Sequence, residues 1–414
     1  MLKKVKHSVS VLDDSLWLYK NVCHPDFKIP SKSWTKNSFF LRVLSSLFSI
    51  FKKVFTLRKS RHRDINAEGL LYINSHNTNE TLKFLASEDY DKFKQVSSFK
   101  NNDFIFSIKD IMLMPIAYIY ALKVDFSFYF FYPDFFFENW GKYESNLAFL
   151  KEQKSLHIVF FANDHNVHNR LFLSACLSNK IKTIYLQHAP VSKYFPPLKF
   201  NHAFLFGEVD FNIYSSIGIG ENVKVTLVGM PSFDKYHNLR KTLINTSPRV
   251  IGVSVNLFDD LSKLKKLISN LTKNYKIIVR FHPRDQRVAR FLLDNIELSD
   301  SLSESSFDYL AKLDLHIAGD SGIHLESILM NVPSFYYKMS IGTVWDYYKF
   351  LHYKVIKEVT DLNKFDEMLD LNDVYMSAKP FCASVGEEYE GKVQKYILKL
   401  IEKIKKEQVG NNGK

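Results

Sequence analysis

The feature that most constrains the fold is a recurring pattern of short apolar runs that stop abruptly on polar, glycine or proline residues. Leu70-Leu71-Tyr72-Ile73 ends at Ser75-His76-Asn77, and Leu156-His157-Ile158-Val159-Phe160-Phe161 ends at Ala162-Asn163-Asp164-His165. Thr183-Ile184-Tyr185-Leu186 ends at Gln187-His188, before a stretch stiffened by Pro190, Pro196 and Pro197. Runs without polar alternation read as strands buried on both faces. Helical stretches such as NETLKFLASEDYDKF and NRLFLSACLSNK lie between them. Strands separated by helices pair in parallel through crossovers. In that architecture ligands sit outside the carboxyl ends of the strands, so the polar strand ends are where function is to be sought.

The pattern continues with His202–Phe206, ending at Gly207-Glu208, and Val223–Val228, ending at Gly229-Met230-Pro231. The stretch LRKTLINTSPR, about residues 239–249, reads as a linker. Beyond it the alternation restarts with Val250–Val255, Lys276–Arg280, Leu315–Gly319 and Pro333–Tyr337. The expectation is an α/β chain of two Rossmann-like, doubly wound halves, 68–240 and 250–380. A helical segment over 1–67 precedes them, and a helix over 384–407 packs back across them. A chain of 414 residues is long enough for two such domains.

Composition narrows the classes. With 46% apolar and 24% charged residues the chain is globular, not disordered. Lys and Arg outnumber Asp and Glu by 56 to 44, and the net charge of +12 suits nucleic acid, a membrane surface or a phosphorylated substrate. Cys23, Cys176 and Cys382 show no metal spacing and fit a reducing compartment. No secretory signal and no apolar run of about 18 residues is present, so no transmembrane helix is expected. In residues 38–63, Phe40, Val43, Leu44, Leu47, Phe51, Val54 and Phe55 recur at helical spacing beside seven basic residues. Such a helix either lies in a membrane interface or packs on the core with a solvated basic end. The aromatic stretch VDFSFYFFYPDFFFENW reads as packed core or a lid between domains, with a lipid or sugar seat as the functional alternative.

Four strand ends carry candidate chemistry. In Arg280-Phe281-His282-Pro283-Arg284, Arg280 and His282 are two apart and share a side in extended chain, and Pro283 keeps that end extended. A guanidinium and an imidazole there suit a phosphate; the other reading is a surface turn with unrelated charges. In Gly319-Asp320-Ser321-Gly322-Ile323-His324-Leu325-Glu326, Ser321 can cap a helix whose first turn offers N–H groups to an anion. Glu326, one turn later, can accept from ribose hydroxyls; the alternative is an ordinary helix start. His188 can serve as a neutral base for an acceptor hydroxyl, or as a structural histidine. Asp164 competes with it for that role, with His165 as electrostatic support.

The HP stretch and the DSG…E stretch lie about 38 residues apart. Together they resemble the donor-nucleotide half of GT-B glycosyltransferases. The likeness is to bacterial polysaccharide enzymes with an HP motif, the sialyl- and Kdo-type transferases and the CDP-glycerol glycerophosphotransferases of teichoic acid synthesis. UDP-N-acetylglucosamine 2-epimerases share the DSG…E turn. The resemblance implies that His282 touches the donor phosphate and that Ser321, Gly322 and Glu326 hold phosphate and ribose, with Asp320 and Pro283 in the same stretches. LQHAPVSK is similar to the HG-x-P-x-K stretch of the glycerophosphotransferases, with Ala189 in place of the glycine and Lys193 at the basic position. Gly229-Met230-Pro231 resembles the G-x-P turn that closes the first half and joins the donor side. Lys193 and His76 are the acceptor-side candidates.

The resulting expectation is an inverting GT-B glycosyltransferase that needs no metal and no cofactor, because the nucleotide-sugar is a substrate. A CMP-sugar is the favoured donor. The acceptor would be a lipid-linked glycan or polysaccharide in capsule, lipopolysaccharide or cell-wall polymer synthesis. The alternatives are a CDP-glycerol-type glycerophosphotransferase and a UDP-sugar 2-epimerase. The expected place is cytoplasmic and peripheral, on an anionic membrane surface, with no nucleic-acid partner.

Overall fold

A computed structural model of the chain describes residues 2–15, 67–73, 76–87, 93–97, 108–131, 133–241, 248–291, 295–340, 345–368 and 374–411. The basic segment 38–63 and Cys23 lie outside these residues.

Two parallel sheets form the framework. The first contains β1 (Gly69–Ile73), β2 (Phe93–Ser97), β3 (Ile158–Phe161), β4 (Lys182–Leu186), β5 (His202–Leu205) and β6 (Lys224–Leu227), in the order β2-β1-β3-β4-β5-β6. The second contains β7 (Val250–Val255), β8 (Lys276–Phe281), β9 (Ile296–Ser299), β10 (Leu315–Ala318), β11 (Ser334–Tyr336) and β12 (Lys357–Glu358), in the order β12-β11-β10-β7-β8-β9. Strand β3 is buried along its whole length, which explains its unbroken apolar run, and β10 is buried likewise with His316 inside it. In each sheet the winding direction reverses once, between β1 and β3 and between β7 and β10. Such switch points leave a crevice at the carboxyl ends of the two strands. The first crevice is bordered by Asn163-Asp164-His165, the second by Asn256 and the Gly319–Gly322 turn.

The helices are α1 (Leu2–Ser15), α2 (His76–Leu82), α3 (Phe84–Ser87), α4 (Ile108–Val124), α5 (Phe126–Phe131), α6 (Pro133–Glu152), α7 (Val167–Ser178), α8 (Glu208–Ile217), α9 (Leu261–Leu271), α10 (Ser306–Ala311), α11 (Ile323–Leu329), α12 (Phe365–Met368) and α13 (Val393–Asn411). Helix α9 shows the local logic. Asp260 caps it by accepting the Ser262 N–H at 2.8 Å, and Leu264, Leu267, Ile268 and Leu271 form the stripe that it buries.

One face of the first sheet is covered by α1, α4, α6 and α7. The aromatic stretch supplies much of that core through Tyr129, Phe136 and Trp140. Val5, Val9 and Leu12 of α1 are buried in it too, so this part of the expected N-terminal extension is integral to the first half. Ile397 and Ile401 of α13 cover the opposite face, against Leu71, Ile158 and Ile184. That helix starts at Val393, not at the expected 384, because Gly386 and Gly391 sit at φ 74° and 68° and turn the chain before it.

The two halves share apolar contacts. Met230 and Phe233 of the first pack with Phe307 and Leu310 of the second, and the rings of Tyr236 and Phe307 stack at 4.7 Å. The returning chain is pinned where the Ala383 N–H donates to the Phe206 carbonyl at 2.8 Å.

Candidate functional site

The first crevice is built on an Asn-directed turn. The Asn163 carboxamide oxygen accepts the N–H groups of His165 at 3.2 Å and Asn166 at 2.9 Å, and Asn166 then caps α7. This turn drives Asp164 inward, leaving it 1% exposed. Its Oδ1 lies 3.1 Å from His165 Nδ1, and its Oδ2 accepts the Tyr214 hydroxyl. Burial disfavours the charge of Asp164, but His165, Tyr214 and Arg170 outweigh it and hold the carboxyl below its ordinary range. An ionised carboxylate only accepts, so His165 Nδ1 is the donor to Asp164, while the Asn163 amide nitrogen lies 3.4 Å from Nε2. The result is an imidazole oriented by a buried carboxylate.

His188 lies beyond β4 with its ring 6.0 Å from that of His165, nearly parallel. Its Nδ1 is enclosed and has no hydrogen-bond partner among the described residues. Burial, and secondarily His165, push His188 down to about 4, so it is neutral at pH 7. The loop that carries it is held from below. The Gln187 carboxamide donates to the Ala189 carbonyl at 2.9 Å and accepts the Phe206 N–H at 2.7 Å. Asp210 accepts the Val191 N–H at 2.8 Å. Lys193 is exposed, with its ammonium 4.9 Å above the Tyr194 ring. His76 heads α2 at the end of β1.

In the second half, the HP turn fixes the tautomer of His282. The Arg284 backbone N–H donates to its Nδ1 at 3.1 Å, leaving Nε2–H as the ring's donor. Pro283 closes this turn, in which the Asp285 N–H reaches the His282 carbonyl at 2.8 Å. Burial, then Arg284, lower the imidazole's pKa. Glu326, on α11, is half-buried, and its Oε2 is enclosed with no hydrogen-bond partner among the described residues. Burial raises its pKa, while Ser306 and Arg280 pull the other way.

The turn before α11 hangs on a buried histidine relay. His324 Nε2 lies 2.9 Å from the Gly319 carbonyl, which can only accept, so Nε2 carries the proton. His324 Nδ1 then accepts from Ser334 at 2.7 Å, His316 Nδ1 donates to Ser334 at 2.8 Å, and Ser254 donates to His316 Nε2 at 2.9 Å. Both rings are neutral, because burial holds His316 well below its usual value and His324 near 4. The relay ties β7, β10 and β11 to the loop at their switch point.

The two crevices meet. A side-chain carbon on Gly322 would lie 3.3 Å from Pro190 Cδ, so the turn of the second half rests on the His188 loop of the first. Tyr194 and Tyr347 stack at 5.8 Å. The Tyr347 phenol, raised by burial, is raised further by both Asp164 and Asp320, which places it within electrostatic range of both crevices.

Several expectations need correction. Ser321 does not cap α11: Gly322 is the N-cap, in helical conformation and without a side-chain bond. The Asp320 carboxylate accepts the Tyr347 N–H at 2.8 Å and the Tyr336 hydroxyl at 3.1 Å, so it anchors the 345–347 loop instead of facing a ligand. Arg280, 8% exposed, donates to Ser299 at 2.7 Å and to the Glu304 carbonyl at 2.8 Å, which turns its fork toward β9 and α10. Gly229, at φ 87°, is required by close packing, since a side-chain carbon there would lie 2.2 Å from Ser384 Oγ. Asp164 is enclosed and is engaged by His165 and Tyr214. Sequence reading missed Tyr214, Tyr347 and Arg287. Arg287 joins the HP turn to the switch point by donating to the Asn256 carbonyl at 2.8 Å and the Asp259 carbonyl at 2.6 Å. None of the three stands at a strand end, so no local signal marks them. Among the described residues no three His, Cys, Asp or Glu side chains gather as a metal site would.

No family model matches the chain, and no curated protein matches it. Among solved structures, the chain is similar to a putative UDP-N-acetylglucosamine 2-epimerase from Listeria monocytogenes. The identity is 11% over 82% of this chain and 97% of that one, with a TM-score of 0.50. It is also similar to the wall teichoic acid polymerase TagF, with 12% identity over 90% and 98% of the two chains and a TM-score of 0.48. The fold, two Rossmann-like domains facing one another, is GT-B.

Proposed function

We propose that this chain is a GT-B transferase that moves a sugar from a nucleotide donor to a hydroxyl acceptor. The observation that carries the reading is the contact of Pro190 with Gly322. It brings the carboxylate-backed His165 and the neutral His188 against the turn that leads to Glu326. In this reading His282 donates from Nε2 to a donor phosphate oxygen, and the unpartnered Oε2 of Glu326 accepts from ribose hydroxyls. His165 Nε2 removes the acceptor proton as the acceptor oxygen attacks the anomeric carbon. Asp164 stabilises the imidazolium that results, and the nucleotide leaves with the bonding pair. The low basicity of His188 suits a hydrogen-bonding role better than proton removal. Lys193 and His76 stand on the acceptor side.

A CMP-sugar donor and a lipid-linked or polysaccharide acceptor complete the proposal, with no cofactor assigned. A membrane-borne acceptor is favoured over a soluble epimerase reaction by an exposed apolar face on α4 and α5. There Met112 is 72%, Ile119 58% and Phe126 63% exposed. Among the described residues no helix is long and apolar enough to cross a membrane. The proposed place is the cytoplasmic membrane surface, held peripherally. A thermal-shift screen with CMP, CDP, UDP and GDP tests the donor site. One nucleotide should raise Tm in a saturable way; no response to any of the four would defeat the reading.

A further inference from the structure

A cavity of about 950 Å³ opens at the opposite end of the first sheet from the candidate site. It is lined at the beginnings of β3, β4, β5 and β6, whereas Asp164 and His188 follow strand ends. A four-residue strand spans about 13 Å, so a small ligand in this cavity does not reach the crevice.

The lining is strongly one-signed. Lys151, Lys154, Lys180, Lys182, Lys224 and Lys405 face it, against Glu68 and Glu407. The Lys224–Glu407 pair, 3.5 Å apart, is largely exposed and so contributes little neutralisation. Like-charged ammonium groups around one concavity repel one another, and low-dielectric walls focus their field into it. The ring of His202, which lines the cavity and is largely buried, registers that field. Burial lowers it most, and Lys182 and Lys224 lower it further, to about 4, against a smaller opposing pull from Glu407. Asn179, Asn201 and Asn222 add amide groups to the same wall.

We infer that this cavity is a second, non-catalytic binding site for a phosphate-bearing anion, either a free phosphate-rich molecule or the headgroup of an anionic lipid. Multiple ammonium groups without a carboxylate majority suit a ligand with several phosphate oxygens, and binding should weaken steeply with salt. This inference stands apart from the proposed transfer reaction.

The test uses the full chain, histidine-labelled for NMR, with tripolyphosphate as probe. The His202 ring resonance should move saturably at low salt, and the apparent Kd should rise tenfold or more at high salt. In Lys151→Glu/Lys154→Glu, two exposed positions of the cavity lining, the Kd should also rise at least tenfold while the nucleotide response persists. If folding suffers, Lys151→Gln/Lys154→Gln provides the same comparison with a smaller change. Sedimentation with phosphatidylglycerol vesicles separates the sources. Vesicle binding that falls in the variant assigns the site to lipid headgroups. Vesicle binding that does not change, with a weakened His202 response, assigns it to a free phosphate-rich molecule. A His202 resonance that does not move, or moves equally in the variant, overturns the inference and leaves a face of solvated lysines.

Discussion

Replacing Glu326 by Gln should separate binding from stability. In the native protein its Oε2 is enclosed with no hydrogen-bond partner among the described residues, and burial raises its pKa. An enclosed carboxylate oxygen without a partner costs about 1–3 kcal/mol of desolvation. Replacing the charge by a neutral carboxamide lowers that cost but gives up the attraction of Arg280, so the free variant should be about as stable as wild type. Ribose hydroxyls would instead lose charge-assisted acceptor contacts worth about 2 kcal/mol, or ~30-fold in Kd. At a nucleotide concentration about 100 times the wild-type Kd, binding adds about 2.7 kcal/mol to stability. The same concentration is only about three times the variant's Kd and adds about 0.8 kcal/mol. The nucleotide-induced rise in Tm should therefore shrink to about a third, measurable by calorimetry on both proteins with and without ligand. If the rise is undiminished in Glu326→Gln, the carboxylate does not touch the nucleotide. If instead the free variant unfolds more readily by over about 1 kcal/mol, the side chain is structural and the desolvation argument fails.

Three further outcomes are expected. Asp164→Asn removes the charge behind His165, so turnover should fall by about 10²–10⁴ while nucleotide affinity stays within twofold; retained turnover would show that the dyad is not used. The pKa of His188 falls from an unfolded value near 6.5 to about 4 on folding, so the unfolded chain binds its proton first as pH drops. Stability from this group is complete above pH 6.5 and declines toward pH 4. Between pH 7 and 5, wild type should therefore lose about 2 kcal/mol more than His188→Gln in urea unfolding, and parallel pH profiles would contradict the assigned burial. If α4 and α5 rest on a membrane, Ile119→Asp/Phe126→Asp should reduce co-sedimentation with anionic vesicles at least fivefold without altering the nucleotide response; equal sedimentation would remove this face from the membrane proposal.

The alternation of unbroken apolar runs with helices was enough to specify two parallel, doubly wound sheets, because period and punctuation are local properties of the chain. The strand-end motifs were legible for the same reason: His188, Asp164 and the HP and DSG turns stand where strands must stop. The employment of each side chain was not legible. Arg280 and His282 are two apart on one strand, yet Arg280 is claimed by Ser299 and Glu304 of neighbouring elements, while His282 has its tautomer set by the adjacent Arg284 N–H. Asp164 and Asp320 both look like free carboxylates at strand ends, but Tyr214 and Tyr347, 50 and 27 residues away, bind them. The contact of Pro190 with Gly322 depends on how the two halves close on their shared core, and the lysine cavity depends on four strand beginnings that are neighbours only in the sheet. Hydrophobic periodicity sets which residues are buried, but a polar group's partner depends on which distant elements the closed fold brings within about 3 Å.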